Sequence, residues 1–114
     1  MDMPKRLHFV GIGGIAMSGI AMVLREQGYV VSGSDQRLSH ITDDLQRLGI
    51  IIYEGHDSTN IGDAQMVVIS SAVPSDNSEV LEAKRRGIRI VKRAEILGWL
   101  FNERKGIAIA GAHG

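Results

Sequence analysis

Three small residues open this chain's chemistry. Gly11, Gly13 and Ala16 stand in the spacing G-x-G-x-x-G/A, directly after the apolar run Leu7 to Val10 and before a helical pattern. In that setting the first glycine permits a tight turn and the second lets backbone approach a diphosphate. The third small residue lets the helix pack on the strand. The free N–H groups of the helix's first turn, with their partial positive charge, then face the anion. Asp35 follows 24 residues after Gly11, at the end of the next strand. A carboxylate there accepts hydrogen bonds from ribose hydroxyls. Glycines serving only a tight turn, and an aspartate serving only as a cap before the Thr42 helix, are the plainer alternatives. Together the residues read as a site for a nucleotide with a diphosphate.

A second glycine loop closes the sequence. Gly106 to Gly114 reads as a buried strand, Ile107 to Ala110, running into Gly111, Ala112, His113 and Gly114. The residue expected next is a phosphate-binding lysine, so the chain reads as a binding domain cut from a larger enzyme at the edge of its ATP site. Residues 1–104 are expected to form one domain and residues 105–114 the start of another. Lacking that lysine and a Mg²⁺ cluster, the chain alone is expected to be inactive. Its terminal strand should add to a sheet edge, pair with a second copy in self-association, or stay disordered.

The elements that position these loops alternate. A helix from about Gly14 to Gln27 carries Ala16, Met17, Ile20 and Leu24 as its core stripe, and Gly28 stops it. Strand two is Tyr29 to Ser34. Thr42 is expected to cap the next helix, which Gly49 ends, and Ile50 to Tyr53 is strand three. Met66 to Ile69 is strand four. Asp76 with Glu79 reads as a capping box opening helix three, which Gly87 closes before strand five, Ile88 to Val91. A last helix spans Ala94 to Glu103, with Ile96, Trp99 and Leu100 on one side. Such alternation predicts an α/β fold, a doubly wound parallel sheet of about five strands with helices on both faces.

Composition removes several classes. With 114 residues, 44% apolar, 23% charged and no cysteine, the chain fits one globular domain without disulfides or thiolate metal sites. The formal net charge is zero, but residues 1–83 hold five Lys/Arg against eleven Asp/Glu, and residues 84–114 eight against two. The basic run Lys84 to Arg93 mixes a helix end, a glycine stop and a strand, so it reads as a solvated or interdomain surface and no nucleic-acid partner is expected. No apolar run approaches the roughly 20 residues of a bilayer span, so no membrane partner is expected and the cytoplasm is the default location. His8, His40 and His113 show no metal-ligand spacing, and no metal is expected. Ser70 and Ser71 lack the flanks of a nucleophile elbow and read as strand-end hydroxyls or cleft-lining groups.

The segment His8-Phe-Val-Gly-Ile-Gly-Gly-Ile-Ala-Met-Ser-Gly-Ile-Ala21 closely resembles the opening motif of the Mur ligase family of peptidoglycan synthesis. The resemblance continues in order through Ser32-Gly-Ser-Asp35, Gly55-His56, Ser70-Ser-Ala-Val73, Arg93-Ala-Glu95 and Gly106-Ile-Ala-Ile-Ala-Gly111. The resemblance is to the members that join L-alanine to UDP-N-acetylmuramate. The resemblance implies a Rossmann-like domain holding UDP, followed by ATPase and amino-acid domains. ATP with Mg²⁺ would activate the muramyl carboxylate as an acyl phosphate for attack by L-alanine, in the full-length enzyme only.

It further implies that Gly11, Gly13, Gly14 and the N–H groups of Ile15, Ala16 and Met17 contact the UDP diphosphate. Asp35 would bind ribose, Gln36 and Arg37 would lie near ribose or uracil, and His56 would approach the uridine. Ser70, Ser71 and Ala72 would line the crevice. Gly111 to Gly114 would belong to an incomplete ATP loop, where Ala112 replaces the family's usual threonine. Ala16 likewise replaces a usual glycine. The competing expectation is a coenzyme domain of an NAD(P)-linked dehydrogenase or regulator, which would use the same loop and carboxylate.

Overall fold

A computed structural model describes residues 3–103. The expected strand and ATP loop at 105–114, with Gly111, Ala112, His113 and Gly114, lie outside the described residues.

Five strands alternate with four helices. They are β1 (Arg6–Val10), α1 (Ile15–Glu26), β2 (Val30–Asp35), α2 (His40–Arg47), β3 (Ile51–Glu54), a 3-10 turn (Ser58–Ile61), β4 (Met66–Ile69), α3 (Ser78–Arg86), β5 (Arg89–Lys92) and α4 (Arg93–Glu103). All neighbouring strands pair in parallel, in the order β3-β2-β1-β4-β5. The doubly wound sheet expected from the sequence is therefore the fold observed. β1 is central, and its last four residues are buried, because both sheet faces are covered.

Leu7, Phe9, Val31, Met66 and Val68 point to one face and pack with Leu24, Leu45, Ile96 and Leu100 from α1, α2 and α4. Val10 and Val67 point to the other, against Ile61 of the 3-10 turn and Ala83 of α3. Tyr29 meets Trp99 edge-on at 6.5 Å, tying the end of α1 to α4.

Three strands begin one residue later than the hydrophobic runs suggest, for one shared reason. Gly28, Gly49 and Gly87 all have positive φ, and the residue after each donates its N–H back into the helix it has left. Tyr29 bonds Leu24, Ile50 bonds Leu45 and Ile88 bonds Ala83, at 3.1, 3.1 and 2.9 Å. This is the Schellman closure, which keeps that residue out of the sheet.

The expected caps need correcting. Thr42 is not the N-cap of α2. Ser39 is: its hydroxyl accepts from Ile41 and Thr42 N–H, while the Thr42 hydroxyl accepts from Ser39 N–H at 2.8 Å. Thr42 thus closes the capping box from the inside. α3 is capped by Asn77, whose side chain accepts from Glu79 and Val80 N–H, and not by an Asp76–Glu79 box. Glu79 turns inward instead and is wholly buried.

Candidate functional site: a cleft at the carboxyl ends of the strands

From β1 the chain winds outward through β2 and β3, then returns to β4 on the other side of β1. The loops after β1 and β4 consequently diverge, and a crevice opens between them at the carboxyl edge of the sheet. A cleft of about 400 Å³ lies there. Gly11 and Gly14 contribute from the first loop, Asp35 and Gln36 from the end of β2, His56 from the turn after β3, and Ser70 and Ala72 from the loop after β4. Seven residues expected from the sequence are thus brought together. Val73, Pro74 and Asn77 complete the lining and were not foreseen. The Asn77 signal was present in the sequence, since asparagine before a helical run is a strong cap, but the expected cap stood one residue earlier.

Gly11 makes the first turn with φ +79°, a conformation that costs other residues strain. Its N–H and that of Ile12 both donate to the carbonyl of Ser34, at 2.8 and 3.0 Å, which seats the loop on β2. Gly14 is the N-cap of α1, with extended backbone and no side chain to accept from the first turn. No acidic residue stands in that turn. The N–H groups of Ile15, Ala16 and Met17 therefore reach the crevice end of α1 with no internal anion competing for them.

Gly13 is held small by its neighbours. A Cβ there would sit 2.8 Å from an Asp35 carboxylate oxygen and 3.3 Å from the Thr42 methyl. Gly13 N–H donates to that same oxygen at 2.8 Å. Asp35 thus braces the glycine loop as well as facing the cleft, and it does not cap α2. Ala16 departs from the expected packing role. It is exposed in the first turn of α1, outside the core stripe, and Met17, Ser18, Ile20, Ala21 and Leu24 do the packing. Ile15 is 85% exposed beside it. Met17 offers the site only its backbone, because its side chain is buried. Arg37 and Ser71 are exposed and do not line the cleft.

Behind the cleft lies a polar cluster the sequence did not announce. Glu79, buried in the first turn of α3, accepts four hydrogen bonds. His8 Nε2 at 2.6 Å and Ser34 Oγ at 2.7 Å meet Oε1, while Asp57 N–H at 3.0 Å and Asn60 Nδ2 at 2.9 Å meet Oε2. Burial alone would raise its pKa. The hydrogen bond and charge of His8, with hydrogen bonds from Asn60 and Ser34, outweigh this and hold it at about 2. His8 completes its own pairing with Ser32 Oγ at 2.8 Å, its register neighbour on β2. Among the described residues no three His, Asp or Glu side chains gather where they could hold a metal ion. No helix among them is long and apolar enough to cross a membrane.

The family model described as "Mur ligase family, catalytic domain" matches residues 6–105. A UDP-N-acetylmuramate–L-alanine ligase of Pelotomaculum thermopropionicum is 48% identical over the whole chain, which covers 25% of that protein. One from Aquifex aeolicus is 54% identical over 96% of the chain and 24% of its own length. The chain therefore spans about a quarter of the length of the curated relatives it matches. Among solved structures, a UDP-N-acetylmuramate–alanine ligase of Thermotoga maritima superposes with a TM-score of 0.78 at 35% identity, over 88% of this chain and 23% of that one.

Proposed function

This chain belongs to the Mur ligase family, and from that premise we propose that its described residues hold the UDP part of UDP-N-acetylmuramate. The parent activity would be an ATP-dependent ligase joining L-alanine to that substrate in the cytoplasm, for peptidoglycan synthesis. One observation carries the reading. The first turn of α1 offers N–H groups with no side-chain cap and no acid, at the mouth of a cleft of about 400 Å³. That volume falls in the range of about 300–1,000 Å³ usual for small-molecule sites.

In this reading the diphosphate lies against the N–H groups of Ile15, Ala16 and Met17, with Gly11 and Gly14 keeping side chains out of its way and Gly13 letting the loop close on Asp35. Asp35 and Gln36 face the ribose. His56 approaches the nucleoside from the β3 side, and Ser70 and Ala72 from the β4 side. Arg37 and Ser71, both exposed, could meet the ligand only from the rim. Residues 1–104 would form this domain, and residues 105–114 would begin the region that uses ATP and Mg²⁺. In this reading the groups that would hold ATP and Mg²⁺ fall outside the described residues.

A titration followed by amide NMR tests the reading. UDP-N-acetylmuramate should shift the amides of residues 11–17 and bind more tightly than NAD. Binding of NAD with no response to the uridine compound would overturn the reading in favour of a coenzyme domain.

A further inference from the structure

Ser34 touches both halves of the site. Its backbone carbonyl seats the glycine loop through Gly11 and Ile12, while its hydroxyl lies between the buried Glu79 and the cleft-lining His56. That hydroxyl has one proton to give. Glu79 is ionised and can only accept, so the proton goes to its Oε1, 2.7 Å away. The same oxygen is 2.8 Å from His56 Nδ1. Having spent its hydrogen, it can only accept there, so Nδ1 must carry a proton. Glu79 Oε2, 3.6 Å from Nδ1, adds attraction for that N–H. His8, Asp57 and Asn60 pin the carboxylate from three other directions, so it cannot turn away.

We propose that Glu79, acting through Ser34, is a positioning residue for His56. It holds the imidazole with its proton on Nδ1, so that Nε2 meets the cleft as an acceptor for an N–H or O–H donor on the nucleoside half of the nucleotide. The ligand side of this statement rests on the UDP reading above; the tautomer does not. Nε2 has no protein partner among the described residues and is not enclosed, as a ligand-facing atom requires. His56 reaches this place because Gly55, at φ +83°, turns the chain sharply off β3 while its N–H stays bonded to the Asp35 carbonyl at 2.7 Å. Sequence spacing cannot show this arrangement, since Ser34 and His56 are 22 positions apart and Ser34 and Glu79 are 45.

The test uses the chain with ¹⁵N-labelled histidine, at a pH where imidazole is neutral, with His56→Phe assigning the signals. His56 should show a protonated Nδ1 and a bare Nε2, opposite to the tautomer that free histidine side chains favour. The reverse pattern overturns the proposal without any variant having to fold. Ser34→Ala should return His56 to the Nε2–H form and weaken UDP binding by roughly three- to tenfold. A folded variant with its tautomer unchanged also overturns it.

Adding UDP should shift the Nε2 resonance. If the amides of residues 11–17 respond and Nε2 does not, the proposal fails while the UDP reading stands. If neither responds, the UDP reading fails and only the tautomer remains. UDP methylated at N3, 2′-deoxy-UDP and 3′-deoxy-UDP separate an imide donor from a hydroxyl, because the true donor's loss abolishes the shift. A shift surviving all three overturns the proposal.

Discussion

Helices α1 and α3 both begin at the carboxyl edge of the sheet, one after β1 and the other after β4, and their first turns are built in opposite ways. α1 starts at Gly14, with no capping side chain and no acid in its first turn. α3 starts at Asn77, whose side chain takes two N–H groups, and it carries Glu79 in its first turn. Both helix ends are partly positive. At α3 the compensating anion is internal, buried and shared among β1, β2 and the turn after β3. At α1 no acid stands in the first turn, and the Asp35 carboxylate beside the loop spends one oxygen on Gly13. The contrast separates a helix end that organises the protein from one that can organise a ligand.

Breaking the internal anion should have the largest effect. Glu79→Ala strips partners from the buried side chains of His8 and Ser34, and from Asn60 and the Asp57 N–H nearer the surface. Removing one member of a buried charged pair costs about 3–5 kcal/mol. Urea unfolding should show this loss, and a change below about 1 kcal/mol would mean that water or a neighbour readily replaces the carboxylate.

Acid offers a titratable version of the same break. The Glu79 carboxyl is depressed from 4.5 to about 2 in the folded chain. On lowering the pH the unfolded state therefore takes up the proton first. The stabilisation is fully present above pH 4.5 and drains away as the pH falls to about 2. Urea midpoints should fall between pH 5 and 2 more steeply for the native chain than for Glu79→Gln, which has no carboxyl to titrate there. Parallel curves would assign the acid sensitivity elsewhere, for instance to Asp57, which Thr59 also holds below its usual value.

The two helix ends were unequally legible in the sequence. Everything at α1 is local: Gly11, Gly13 and Gly14 follow one apolar strand, and their spacing prescribes the turn. Asp35 could be placed from its distance along the chain. At α3 the information is spread out. Glu79 meets His8 across 71 positions, and no local pattern marks such a pair. Because Glu79 sits near a helix start, local rules assigned it to a capping box, and tertiary burial overrode them. A hint did exist: His8 interrupts an apolar central strand, and Ser32 and Ser34 alternate on its neighbour. Polar residues in strands covered on both faces must find partners there. Ala16 illustrates the converse, since its fingerprint position implied packing while the start of α1 at Ile15 leaves it in the exposed first turn.

The smallest effect is the most discriminating, because it reverses sign between stability and binding. Gly14→Asp would give α1 the kind of end that α3 has. The backbone there, φ −66° and ψ 151°, suits any residue. An added Cβ would find only the Gly11 carbonyl oxygen nearby, at an ordinary 3.7 Å. An aspartate cap can accept from the bare first-turn N–H groups and complement the helix dipole. The chain should gain about 0.5–1 kcal/mol in urea unfolding. The same carboxylate would occupy the donors a diphosphate needs and repel its charge. UDP affinity should fall about tenfold or more, most steeply at low salt. Greater stability with unchanged UDP binding would mean that the first turn of α1 is not where the diphosphate sits. Lower stability would mean that its N–H groups already have acceptors. Either result would erase the distinction between the two helix ends.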